Sequence, residues 1–171
     1  MFKMKIGILG GSFDPAHKGH LAISKEARKR FKLEKIIWAI TKKNPLKAES
    51  KTPISKKIKD CKKIIGLNSF IKVKFYENII KSNKTIDLIN YLKKNKNIEI
   101  FFLMGADNLI SFHKWHKSKL ISQKCNIIVF DRHGYKKNSL KSKTFKRLNN
   151  KTLTFVEFKK VNISSSQLRK I

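Results

Sequence analysis

Two histidines one helical turn apart close a glycine-led segment near the start of the chain: residues 10–20 read GGSFDPAHKGH, ending on His17 and His20. On a first helical turn that spacing puts both rings on the same side. Gly10 and Gly11, followed by Ser12 and Phe13, let the backbone turn sharply and offer its N–H groups to an anion. Pro15 stiffens the loop, and Gly19 and His20 begin a helix whose N-terminus favours phosphate. Two imidazoles at such a helix start can donate hydrogen bonds to a phosphate as negative charge grows on it, which stabilises a transition state. The segment is neither a Walker loop nor a GxGxxG fingerprint. A metal pair is an alternative use of two histidines, but metal-binding helices carry HxxxH or HExxH with an acidic third ligand, and HKGH lacks that context. The bland alternative is a plain strand–turn–helix with two surface histidines.

A second anion-binding pattern stands at the other end, where residues 163–169 read ISSSQLR. Ser164 and Gln167 have capping-box spacing, so a well-capped terminal helix would explain them alone. A serine-rich helix start also binds phosphate through hydroxyls and N–H groups, with Arg169 one turn on supplying charge.

These residues need elements to hold them. Apolar runs at 5–9, 36–40, 98–104 and 127–130, with alternation at 71–75 and a short run at 153–156, predict strands. Helical spacing predicts helices over 19–31, from Pro53 to about 65, over 85–94, 107–112 and 115–121, and a terminal one. The alternation of strand and helix calls for an α/β domain with a mainly parallel, doubly wound sheet. The residues of chemical interest all follow strand ends, where such sheets bind ligands.

The chain carries 41 Lys+Arg against 11 Asp+Glu, a formal net charge of +30. Such an excess can mark a nucleic-acid binder. The basic residues are mostly Lys, spread over every segment among Asn and Ile, and those three share A/T-rich codons, so base composition accounts for the bias. A zinc frame, RNP-like aromatics and a clustered basic tract are all missing, which argues against nucleic acid as the main partner. The field would still attract small anions. The 171 residues, 40% of them hydrophobic, suit one domain over 1–171 with a substantial core. No apolar run approaches the ~18 residues of a membrane span, and the opening run ends in glycines rather than a signal-peptide cleavage site. A cytoplasmic location is expected. Cys61 and Cys125 lack zinc or disulfide spacing and read as buried thiols.

GGSFDPAHKGH resembles the GG[ST]FDPxHxGH signature of the HxGH nucleotidyltransferase superfamily, and ISSSQLR is similar to its ISSTxxR motif, with Ser166 in place of Thr. The resemblance implies a Rossmann-like fold and direct adenylyl transfer from ATP, with Mg²⁺ bound to the triphosphate. It implies that Gly10, Gly11, Ser12, Phe13, His17, His20, Ile163, Ser164, Ser165 and Arg169 contact ATP. His17, His20 and Arg169 would be the catalytic groups.

Residues 102–115 contain GADNLISFHKW, which resembles the GADNLxxFxxW segment of nicotinate-nucleotide adenylyltransferases. That likeness implies nicotinate mononucleotide as acceptor, Gly105 and Asp107 as contacts to the adenosine of ATP, and Trp115 against the pyridine ring. NPLK at 44–47 matches one branch of that family and offers Lys47; SNKTIDL at 82–88 is similar to SYTxDTL and offers Thr85, with Lys84 where Tyr is common. DRHG at 131–134 is similar to DRPG and offers Arg132 as an anion contact in the acceptor pocket. Pantetheine-phosphate adenylyltransferase shares the HxGH motif, but GADNL followed by FxxW argues against it.

Overall fold

The computed structural model describes residues 2–43 and 50–158. Segments 44–47 and 163–169, with Lys47, Ile163, Ser164, Ser165, Arg169 and the expected terminal helix, lie outside the described residues. Six strands form one parallel sheet: β1 (Met4–Gly11), β2 (Lys35–Ile40), β3 (Ile71–Lys74), β4 (Ile98–Gly105), β5 (Asn126–Phe130) and β6 (Leu153–Val156). Their order across the sheet is β3-β2-β1-β4-β5-β6. The chain therefore winds outward from β1 in one direction and from β4 in the other, and the crevice at that reversal lies outside the carboxyl ends of β1 and β4.

The helices cover both faces. α1 (Lys18–Phe31) follows β1 and α2 (Ile54–Ile65) follows β2. α3 (Glu77–Ile80) and α4 (Thr85–Leu92) connect β3 to β4; α5 (Ala106–Ser111), a 3₁₀ turn (Phe112–Lys114) and α6 (Ser118–Lys124) connect β4 to β5; α7 (Lys136–Leu140) and α8 (Lys143–Leu148) connect β5 to β6.

Successive strand residues point to opposite faces, and the sequence fills both with apolar groups. Ile8, Ile37, Ile100, Phe102, Ile127 and Val129 pack with Ile86, Leu109 and Ile121 on one side. Leu9, Trp38, Leu103, Ile128 and Phe130 pack with Ala27, Cys61 and Ile65 on the other. Both cysteines are free and buried, as their spacing predicted, and burial pushes each thiol up to about 12. No helix among the described residues is long and apolar enough to cross a membrane.

The structure corrects several element boundaries. Pro53 does not open α2 from inside; its extended backbone caps it, and the helix starts at Ile54. The helix expected over 115–121 begins at Ser118, because the 3₁₀ turn ends with Trp115 in extended backbone and Lys117 is left-handed. α3, α7 and α8 were not anticipated, being at most six residues long and so too short to show a period. One lysine departs from the surface rule: Lys57 is 0% exposed, and its ammonium donates to the Thr41 carbonyl at 3.3 Å.

Gly7 is buried in β1, and a Cβ there would lie 2.9 Å from Leu33 Cδ1 and 3.1 Å from Ile36 Cγ1. Gly7→Val should therefore overpack the contact between β1 and β2 and lower stability by about 1–3 kcal/mol, read as an earlier urea midpoint. An unchanged midpoint would contradict this packing.

Candidate active site

β1 delivers the chain to the crevice at Gly11, whose carbonyl accepts from the Thr41 N–H at 2.9 Å. Two residues on, Phe13 takes a left-handed backbone (φ 48) that a bulky side chain rarely adopts. Burial of its ring offsets that strain: Phe13 is 1% exposed and stacks on Trp38 at 5.1 Å and 17°. The Asp14 carboxylate accepts from Ser50 Oγ at 2.6 Å and Thr52 Oγ1 at 2.7 Å, which ties the loop to the segment entering α2.

His17 is the N-cap of α1, and it caps in an unusual way. Its Nδ1 accepts from the Gly19 N–H at 3.1 Å, while His20 Nδ1 accepts from the His17 N–H at 3.1 Å. The two imidazoles thus make a reciprocal capping box and satisfy two donors that a helix start leaves open. A ring nitrogen that accepts carries no proton, so each neutral ring carries its proton on Nε2. Burial, followed by the positive charge of Arg132, pushes the His17 pKa down to about 4. Burial, then His17, then Arg132 hold His20 well below the usual histidine range, against an opposing hydrogen bond with the His17 backbone. At neutral pH the site presents two uncharged Nε2–H donors. The rings lie 3.8 Å apart between centroids, and His17 Nε2 is buried without a hydrogen-bond partner. A buried polar atom left unbonded is unusual and marks a place where a ligand oxygen would be accepted.

Across the crevice, β4 ends at Gly105 and β5 at Phe130. Arg132 Nη1 and Asp107 Oδ2 pair at 2.7 Å, and Asp107 Oδ1 is buried with no partner. The resemblance placed Asp107 at ATP and Arg132 in the acceptor pocket; the structure joins the two in one ion pair, and the charge of Arg132 lowers the pKa of both histidines. A Cβ at Gly105 would lie 2.6 Å from Asp107 Oδ1 and 3.8 Å from Arg132 Cζ, so the missing side chain makes room for the pair. Thr85 is the first residue of α4, after a turn in which Ser82 Oγ donates to Asp87 Oδ2 at 2.6 Å. Trp115 is half-buried, edge-on to Phe102 at 5.9 Å and tilted against Phe112 at 5.2 Å.

Two contributors escaped the sequence reading, Ser24 and Trp38. The Trp38 indole donates to Ser24 Oγ at 2.8 Å, and Ser24 Oγ donates to the His20 carbonyl at 2.8 Å. The available signal was Ser24 four residues after His20 on α1, with one indole in an otherwise aliphatic strand. Among the described residues no group of three or more His, Cys, Asp or Glu could hold a metal ion.

Two consequences can be measured. Because His17 titrates near 4 when folded and near 6.5 when unfolded, the unfolded chain binds more protons between those values. The contribution of His17 to stability is complete above pH 6.5 and should fall away as pH drops towards 4. Wild type should lose more stability over that window than His17→Gln, by chemical denaturation at each pH; equal losses would contradict a neutral buried ring. Gly105→Ala should displace the Asp107 carboxylate and disturb its pair with Arg132, read as shifted histidine side-chain signals at constant pH with little change in melting temperature; unchanged signals would show that the close approach is dispensable.

A family model described as cytidylyltransferase-like matches residues 8–171. The "Probable nicotinate-nucleotide adenylyltransferase" of Pelagibacter ubique is 68% identical over 169 residues, covering 99% of this chain and 94% of that protein. A protein of the same name from Bradyrhizobium is 36% identical over 75% of this chain and 68% of its own length. The Plasmodium falciparum nicotinic acid mononucleotide adenylyltransferase, solved complexed with NaAD, superposes with a TM-score of 0.76 over 97% of this chain and 82% of its own at 23% identity, a likeness of fold. With two thirds of its residues shared along nearly its whole length with a named relative, the chain belongs to the nicotinate-nucleotide adenylyltransferases within the cytidylyltransferase-like family.

Proposed function

We propose that the chain transfers the adenylyl group of ATP to nicotinate mononucleotide, giving deamido-NAD and pyrophosphate in NAD biosynthesis. The observation that carries the reading is the pair of neutral Nε2–H donors, one buried and unbonded, at the carboxyl end of β1. The acceptor phosphate oxygen forms a bond to the α-phosphorus of ATP as the bond to the leaving pyrophosphate breaks. His17 and His20 donate to the α-phosphate region as its charge shifts, and neither removes a proton, since the attacking phosphate is already anionic. Being neutral, the rings add no charge that would hold the pyrophosphate product.

Cationic help comes from elsewhere. Arg132 supplies a charge that Asp107 orients, while Asp107 Oδ1 is free to accept from a ribose hydroxyl. Gly10, Gly11, Ser12 and Phe13 shape the turn under the phosphates, and Gly105 leaves room for the nucleotide side of Asp107. In this reading Ser165 and Arg169 hold the β- and γ-phosphates, with Ile163 and Ser164 as further ATP contacts. Lys47, Thr85, Trp115 and Arg132 line the acceptor pocket. Mg²⁺ would enter with the nucleotide as MgATP and would screen the charge of the triphosphate and of the leaving pyrophosphate. The NaAD held by the Plasmodium falciparum relative supports the acceptor. We read the chain as one domain, working in the cytoplasm, where two free thiols stay reduced.

The test is pyrophosphate release with ATP and Mg²⁺, run separately with nicotinate mononucleotide, nicotinamide mononucleotide and phosphopantetheine. Release with the nicotinate compound, with His20→Ala roughly 10²–10³-fold lower in kcat, is the expected result. Release with phosphopantetheine alone would overturn the acceptor, and silence from folded protein with all three would overturn the reaction.

A further inference from the structure

We infer that Ser24 and Trp38 are positioning residues for His20, a role that rests on the proposed use of His20 as a hydrogen-bond donor to phosphate. His20 is held at two separate points by one side chain of β2. Through its polar edge, the Trp38 indole N–H donates to Ser24 Oγ, which donates in turn to the His20 carbonyl, both at 2.8 Å. Through its ring face, Trp38 stacks on Phe13 at 5.1 Å, and Phe13 lies 4.6 Å from the His20 imidazole. Ser24 and Trp38 are both 0% exposed, so water cannot replace either bond. The Ser24 hydroxyl accepts one hydrogen bond and gives one, which fixes the direction of its proton.

This geometry does more than fill a core. Trp38 pairs in register with Leu9 of β1, two residues before the turn at Gly11, so the strand that carries the indole is fixed to the strand that leads into the histidine loop. The indole therefore transmits the position of the sheet to the first turn of α1. There the His20 carbonyl and ring must both be right for Nδ1 to sit over the His17 N–H at 3.1 Å. A small rotation of that turn would break the bond that keeps the His20 proton on Nε2, and with it the donor aimed into the crevice.

The test compares wild type, Ser24→Ala, Trp38→Phe and the double variant. Each single change should lower kcat by roughly 10- to 100-fold, with KM for ATP and for nicotinate mononucleotide within about twofold, because position rather than binding is lost. The double variant should be no worse than the poorer single one, since the two bonds act as a unit. Side-chain ¹⁵N spectra should show His20 as one Nε2–H tautomer in wild type and as a mixture in Ser24→Ala. Folded variants with wild-type kcat and an unchanged His20 signal would overturn the inference and leave a core contact only. If Trp38→Phe fails to fold, Ser24→Ala decides by the same two readouts. If wild type transfers nothing, the functional reading fails, and the tautomer comparison alone tests the positioning.

Discussion

The first turn of α1 is capped by two imidazoles where most helices use a hydroxyl or a carboxylate, and the site's chemistry depends on that choice. An aspartate cap would satisfy the same backbone donors but would set a negative charge where the proposed function puts a phosphate. No acidic residue stands in the first turn of α1. By accepting through Nδ1, each ring settles its own tautomer and leaves Nε2–H as a donor. Burial completes the arrangement by keeping both rings uncharged at neutral pH. One set of bonds thus starts the helix, fixes the protons and aims the donors.

The sheet decides what faces those donors. Because β1 and β4 are neighbours at the point where the winding reverses, the turn after β1 and the turn after β4 open onto one crevice. β5 adds the cation: Arg132 sits against Asp107 across a space that only glycine at 105 leaves clear. The cost is electrostatic, since a guanidinium near two imidazoles disfavours their protonation. Here that cost is useful, because it reinforces the neutral state that the capping bonds require. Positive charge and hydrogen-bond donation are thereby carried by different residues.

Much of this could be read from the chain itself, for definite physical reasons. Strands buried on both faces show as continuous apolar runs, which marked β1, β2, β4 and β5, while alternation marked β3 and a short run marked β6; the end of β1 was marked by Gly10 and Gly11. The histidine pair was visible because spacing on one helical turn is local information. The tautomers were not, because they depend on which backbone N–H each ring meets. Nor was the Asp107–Arg132 pair, which joins residues 25 apart through the pairing of β4 with β5. The link between Ser24 and Trp38 leaves no local signal, because it is made only where α1 crosses β2. The helix expected at Trp115 failed because a 3₁₀ turn competes with α-helix over so short an apolar stretch.

The most direct test of the central claim, that two neutral Nε2–H groups receive the α-phosphate of ATP, is the side-chain ¹H–¹⁵N spectrum of the histidines while α,β-methylene-ATP and Mg²⁺ are added. The chain has five histidines, and His113, His116 and His133 are exposed and serve as internal references. The account predicts Nε2–H signals for His17 and His20 that move strongly downfield on binding, with both rings still neutral and the other three unchanged. Saturable binding of the nucleotide that leaves those two signals where they were, or that protonates both rings, would contradict it.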